Sequence, residues 1–231
     1  GLHALQHRGQ EAAGIVTYQD EQFYSHRAAG QVGDNFNEES VISKLPGRSA
    51  IGHNRYSTSG DTVVRNIQPL FADFASGGFA IGHNGNLTNA VALRRALVQR
   101  GCLFQSTTDT EVIIHLIATG RFDTVVDRTV AALQAVEGAY SIVALHNDTL
   151  IGVRDPHGVR PLVLGRFEEA YILASETCAL DIIGAEFVRD IEPGEMVLID
   201  EDGLQSMHPF KKKPHRFCIF EYIYFARPDS T

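Results

Sequence analysis

The sequence predicts an α+β fold of mainly antiparallel sheets. Short strand-like segments crowd the first part of the chain and return from Ala139 onward, helical periodicity is grouped between them over residues 87–135, and Gly, Pro and Asp turns separate the strands. With 231 residues, 44% hydrophobic and 21% charged, the chain can bury a sizeable core as one large domain or two small ones. No internal repeat or low-complexity segment interrupts it.

In order, Gly1 to Gln10 reads as the tail of a helix already in progress, with no initiator Met, so a preceding segment is expected. Residues 13–18 and 22–26 form a hairpin pattern around Gln19-Asp20-Glu21, 35–45 reads as a short helix closed by Pro46-Gly47, and 49–53 as a strand running into the polar loop 54–60. The apolar run 77–81 stops at Gly82-His83-Asn84-Gly85-Asn86-Leu87. Asn-Gly tolerates positive φ, so it reads as a turn from strand to helix, with open backbone N–H groups beside an amide side chain. Taken alone it is a plain β-turn; taken as a site, Asn84 and Gly85 are the donor pair that a carbonyl oxygen turning negative requires.

A helix over 87–100 follows, with Val91, Leu93, Leu97 and Val98 on roughly one face and Gly101 as its stop. Thr108-Asp109-Thr110-Glu111 fits a capping box with Thr108 as N-cap, which puts Asp109 in the first turn, either as a plain capping acid or facing a cleft. A third helix covers 123–135, and strands follow at 139–145, 150–154, 161–164, 170–174, 196–199 and 218–222.

The net charge of −8 argues against a nucleic-acid partner, and the short basic run Lys211-Lys212-Lys213 reads as a solvated, Pro-flanked linker. No apolar span has membrane-helix length and no signal peptide is recognisable, so no membrane association and a cytoplasmic location are expected. Cys102, Cys178 and Cys218 are too few and too scattered for a disulfide framework, and the ten His show no metal-ligand spacing. Cys102 and Cys178 read as buried small residues, and no Gly-x-Ser-x-Gly elbow offers a nucleophile. What remains suits an amino-acid ligand: a guanidinium (Arg55) for an α-carboxylate, a carboxylate (Asp109) for an α-ammonium, and Asn84 with the Gly85 N–H for a side-chain carbonyl.

Several segments together resemble one family. Leu5-Gln6-His7-Arg8-Gly9-Gln10-Glu11-Ala12-Ala13-Gly14, Gly52-His53-Asn54-Arg55-Tyr56-Ser57-Thr58-Ser59-Gly60, His83-Asn84-Gly85-Asn86-Leu87 and Thr107-Thr108-Asp109-Thr110-Glu111 are similar to the glutaminase domain of class II glutamine amidotransferases, the N-terminal-nucleophile hydrolases. Within that class, Arg154 to Leu162, Ala174 to Leu180 and above all Cys218-Ile219-Phe220-Glu221-Tyr222-Ile223-Tyr224-Phe225-Ala226-Arg227-Pro228-Asp229-Ser230 resemble the amidophosphoribosyltransferase branch. The resemblance spans nearly the whole chain and implies a four-layer αββα sandwich, two antiparallel sheets between helix layers. It implies that Arg55 holds the α-carboxylate of glutamine and Asp109 its α-ammonium, that Asn84 and Gly85 form the oxyanion hole, and that Tyr56 and Thr58 line the pocket.

The family's nucleophile is an N-terminal Cys whose own α-amino group is the base, on a strand ahead of the segment matching Gly1. The resemblance therefore implies a piece of a longer enzyme: a glutaminase domain over 1–210, then a linker and the first strand of a phosphoribosyltransferase domain over 211–231. The longer protein would feed ammonia to phosphoribosylpyrophosphate in purine synthesis, use magnesium and form a homo-oligomer, while this polypeptide alone would be inactive and hold no cofactor. One branch carries a 4Fe–4S cluster whose first ligand falls at Cys218, although a buried cysteine is the local reading. A glutamine–fructose-6-phosphate amidotransferase domain, a glutamine-binding module without a nucleophile, and a structural scaffold remain open alternatives.

Overall fold

The computed structural model describes residues 1–56, 63–216 and 218–230. Its elements run β1 (Ala12–Gln19), β2 (Gln22–Ala29), α1 (Val32–Asn35), α2 (Glu39–Ile42), β3 (Ser49–Arg55), β4 (Leu70–Phe74), β5 (Gly77–Leu87), α3 (Ala90–Gln99), α4 (Thr110–Ala118), α5 (Val125–Ala135), β6 (Gly138–His146), β7 (Thr149–Arg154), β8 (Val163–Phe167), β9 (Ala170–Ala174), α6 (Cys178–Asp181), β10 (Glu186–Asp190), β11 (Met196–Asp200) and β12 (Gly203–Met207). The expected α+β class with antiparallel sheets is what forms. A six-stranded sheet, β12-β11-β7-β6-β5-β4, is antiparallel throughout, and two three-stranded antiparallel sheets, β2-β1-β3 and β10-β8-β9, accompany it.

One face of the large sheet is packed by helices. Phe79, Ile81, Ile142 and Ile151 meet Ile113 and Ile117 of α4 and Ala132 and Leu133 of α5 in one continuous apolar cluster. Thr124 caps α5 by accepting the Asp127 N–H at 3.0 Å. The opposite face is covered in two pieces: Val16 and Ile51 of the first small sheet rest on Ala80 and Leu145, while Leu162, Leu164 and Ile191 rest on Val197. Outside the β10-β8-β9 sheet, α6 and the chain start at Ala4 pack against Val163 and Ala174 as a thin outer layer.

Several expectations need correction. The opening segment holds only a 3₁₀ turn at Gln6–Arg8, and the helix expected over 35–45 is two single turns, α1 and α2. Only Val32 of those turns is buried, so no apolar stripe carries a longer helix. The capping box at Thr108 does not form; Asp109 is the N-cap, and the Glu111 carboxylate turns back to accept the Gln105 and Ser106 N–H groups at 2.7 Å each. The segment 218–222 is not a strand, because the chain makes a helical turn at Glu221–Phe225 against the body of the protein. Strands β4, β10 and β12 escape the sequence reading because each is a sheet edge exposed along much of its length, so the alternating apolar signal is absent.

Candidate functional site

Asn84-Gly85 is not a turn. Both residues lie inside β5, paired with Ser141 and Tyr140 of β6. Gly85 is obligatory there, since a Cβ would fall 2.0 Å from the Ala139 carbonyl oxygen. The donors that a turn would have supplied come from the strand instead. β4 pairs with β5 only as far as Ile81, which leaves one edge of residues 82–87 without a neighbouring strand. Along that edge the His83 N–H donates to Gln68 Oε1 at 2.7 Å and the Leu87 N–H to Asp109 Oδ2 at 2.9 Å, while the Thr88 N–H on the other edge goes to the Glu137 carbonyl. Alternation along the strand puts the Gly85 N–H between the first two, on the open edge.

A cavity of about 110 Å³ opens there, lined by Arg55, Tyr56, Asn84, Gly85 and Asp109 among others. At 10–15 Å³ per water-sized atom this is room for roughly ten non-hydrogen atoms, the size of a free amino acid. The sequence-predicted residues, drawn from three distant segments, therefore converge, except Thr58, which lies outside the described residues. Asn84 lines the cavity, and its side-chain nitrogen is buried with no hydrogen-bond partner among the described residues, which leaves a donor unused.

Arg55 ends β3 and is 3% exposed; its Nη1 donates to the Asn66 carbonyl at 3.0 Å. Burial pulls the guanidinium below its ordinary pKa, and the carboxylates of Glu11 and Asp109 act in the opposite direction. Gly9 makes this approach feasible, because a Cβ there would meet the Arg55 carbonyl carbon at 2.5 Å. Asn66, wholly buried, braces the same wall: its amide exchanges hydrogen bonds with Thr107 at 2.9 and 3.0 Å, two residues before Asp109. Sequence reasoning missed it, since an Asn in a polar loop carries no signal by itself.

His83 and His53 were also not singled out. His83 Nδ1 lies 3.2 Å from Thr110 Oγ1 and 3.8 Å from Asp109 Oδ1, while His53 Nε2 faces the His83 carbonyl at 3.2 Å. Burial lowers both pKa values, that of His53 to about 4, so both rings are neutral at pH 7. Neutral imidazoles here brace the strand and Asp109 without adding charge to the cavity.

The end of the chain closes over one side. Glu221 is buried and accepts hydrogen bonds from Arg8 Nη2 and, at 2.6 Å, Arg160 Nη1. Phe225 packs its ring under both guanidiniums, at 5.8 and 5.3 Å, and edge-on to Tyr56 at 5.7 Å. Glu176 fastens the next residues, accepting from Arg8, His7, the Arg227 N–H and Ser230 Oγ. Burial alone would raise its carboxyl, but these donors outweigh it and hold the pKa at about 2.

The cysteines lie apart from the cavity. Cys178 is buried with its Sγ 3.8 Å from the Ala4 carbonyl, and burial pushes its thiol pKa up; Cys102, expected to be buried too, is half-buried. Cys218 is half-buried. Among the described residues no group of three or more His, Cys, Asp or Glu is arranged to hold a metal, so the donors of this chain do not by themselves fit a four-thiolate cluster. No helix among the described residues is long and apolar enough to cross a membrane.

Comparison with known proteins finds relatives along the whole chain. An amidophosphoribosyltransferase of Rhizobium etli is 52% identical over 236 residues, covering 100% of this chain and 48% of the relative. A chloroplastic amidophosphoribosyltransferase of Glycine max is 49% identical, covering 100% of this chain and 41% of its own length. The glutamine phosphoribosylpyrophosphate amidotransferase of B. subtilis, solved with ADP and GMP, superposes with a TM-score of 0.94 at 42% identity, over 100% of this chain and 50% of that one. The chain thus spans about half the length of the relatives it matches. A family model described as the glutamine amidotransferase domain matches residues 53–181, more than half of the chain, from within β3 to the end of α6, and the chain belongs to that family.

Proposed function

We propose that this chain is the glutamine-hydrolysing half of an amidophosphoribosyltransferase. The observation that carries the reading is the convergence of Arg55, Asn84, Gly85 and Asp109 on one amino-acid-sized cavity in which the buried Asn84 amide nitrogen has no partner among the described residues. Arg55 pairs with the α-carboxylate of glutamine, Asp109 takes the α-ammonium through the oxygen not engaged by Leu87, and Tyr56 walls the pocket with Phe225. Asn84 and the Gly85 N–H receive the amide oxygen as it becomes negative. None of the three cysteines lines the cavity, and the resemblance to the N-terminal-nucleophile hydrolases supports an N-terminal Cys of the longer protein as nucleophile, with its own α-amino group as base. Its thiolate displaces ammonia to leave a thioester, and water releases glutamate.

Ammonia then converts phosphoribosylpyrophosphate to phosphoribosylamine, the entry to purine synthesis, in a second domain outside this chain where magnesium also binds. The longer protein is a cytoplasmic homo-oligomer on this reading. Cys218 supplies at most one thiolate to an iron–sulfur cluster whose other ligands lie beyond this polypeptide. The test is an ammonia assay on the 231-residue polypeptide and on the longer protein carrying an N-terminal Cys. Glutamine-dependent ammonia release is expected only from the longer protein, and turnover by the short polypeptide above a buffer control would point to an internal nucleophile and overturn the assignment.

A further inference from the structure

A second cavity, of about 810 Å³, lies between the end of α5, the start of β6 and the segment 209–216, and shares no lining residue with the glutamine cavity. Its inner wall is apolar: Leu133, Val136 and Phe210 are buried there. Tyr140 lines it as well, is 2% exposed, and its hydroxyl has no hydrogen-bond partner among the described residues. A buried phenol that finds no partner in the protein is costly unless something else supplies one.

The rim has a different character. Lys211, Lys213 and Arg216 border the cavity against one carboxylate, Glu137, in a chain whose net charge is −8. Lys211, Lys212, Lys213 and Arg216 are all exposed, as a solvated linker would be, and of these four only Lys212 does not border the cavity. The segment is held across the mouth at both ends. Gln134 Nε2 donates to the Pro209 carbonyl at 3.2 Å, His157 Nδ1 meets the Pro214 carbonyl at 2.8 Å, and the Arg216 N–H donates to the His157 carbonyl at 2.9 Å.

We propose that this cavity is a second ligand site, for a small aromatic anion whose ring lies against Leu133, Val136 and Phe210 and whose phosphate-type group is held by Lys211, Lys213 and Arg216. Tyr140 supplies a hydrogen bond to a polar atom of the ligand near the wall. A largely apolar pocket with a few convergent polar groups is the usual form of a small-molecule site, and three cations at one end select for charge.

The probe is 1-naphthyl phosphate, titrated by its own fluorescence anisotropy into the protein, with 1-naphthol and inorganic phosphate as its two halves. One-to-one saturable binding is expected, with each half binding far more weakly and glutamine not competing. Lys211→Glu together with Lys213→Glu, both on exposed positions, should weaken the probe by about tenfold or more. Tyr140→Phe, which keeps the ring in the core, should weaken it about three- to tenfold. The proposal fails if no saturable binding is seen, if 1-naphthol binds as tightly as its phosphate, if the charge reversal leaves the affinity unchanged, or if glutamine displaces the probe.

Discussion

The two faces of the six-stranded sheet are used differently. Under the helices, Phe79, Ile81, Ile113, Ile117, Leu133 and Ile142 belong to a single apolar cluster, and every one of them is at most 2% exposed. On the other face the cover is split between two three-stranded sheets, the apolar clusters are smaller, and Gly52, His53, Gly82, Asn84 and Ser141 lie where a continuous core would place branched apolar residues. The helix face supplies rigidity; the other face leaves polar groups without full pairing and holds them still. Strand β5 joins the two, presenting Ile81 to the core and Asn84 to the cavity within four residues.

If that division holds, a cut into the helix face must act on stability and leave chemistry alone. Ile117→Ala removes a fully buried side chain between α4 and the sheet. It should cost about 2–5 kcal/mol in chemical denaturation. Glutaminase activity of the longer protein, measured well below its new melting temperature, should stay near the parent value. A large loss of turnover in protein that is still folded would erase the distinction between the faces.

Cuts into the open face should do the reverse, and they should differ among themselves. Asn84→Ala removes a donor that acts on the developing oxyanion, so kcat should fall by ~10² with little change in stability or KM. Arg55→Lys keeps the charge and loses the planar fork, so apparent glutamine affinity should weaken by about 2 kcal/mol, with the smaller share of the loss in kcat. Steady-state kinetics on both variants separate the roles. Should Asn84→Ala change only KM, the assignment of oxyanion donor and carboxylate clamp must be exchanged.

This division explains what the sequence discloses and what it hides. The helix face is legible because packing writes a period into the chain, as in the α5 residues Val125, Thr129, Ala132 and Leu133, all buried on one side. Strands β6, β7, β9 and β11 fall within a residue or so of their expected bounds, whereas β8 begins two residues later. The edge strands β4, β10 and β12 are silent where β2, β3 and β9, also edges, are not; in the silent three, solvent takes much of the surface. Arg55, Asn84, Gly85 and Asp109 are visible as chemically apt residues at expected element ends, and Asn84-Gly85 lines the cavity from within a strand instead of forming the expected turn. The supporting groups are not visible. Asn66, His83 and Glu221 act through partners 41, 27 and 213 residues away, and no local pattern announces contacts of that separation. Glu221 also shows why the segment 218–222 reads as a strand: its aromatic run has high β propensity, but the buried ion pairs to Arg8 and Arg160 hold a helical turn instead.

The smallest expected effect concerns how the end of the chain is fastened, and two carboxylates allow a controlled reading. Glu176 and Glu195 are both buried, both have pKa values held at about 2 because hydrogen bonds outweigh the upward pull of burial, and both accept a backbone N–H, from Arg227 at 3.0 Å and from Glu192 at 2.7 Å. A folded pKa below the unfolded value of 4.5 means stabilisation that is fully present above pH 4.5 and is lost as the pH falls toward 2. Glu195 sits with Met196, Val197 and Leu198 of β11, all buried, so losing its pairing there requires the sheet to open. Glu176 holds a segment in which Tyr222, Ile223 and Tyr224 are more than half exposed, so that segment can lift by itself. Hydrogen exchange between pH 7 and 3, corrected for intrinsic rates, should show the Arg227 amide losing protection by on the order of 1 kcal/mol while the Glu192 amide keeps its own. Glu176→Gln should reproduce that local loss at pH 7. If the two amides lose protection together, the chain end is part of the cooperative core; if the Arg227 amide does not change down to pH 3, Glu176 is not what fastens it.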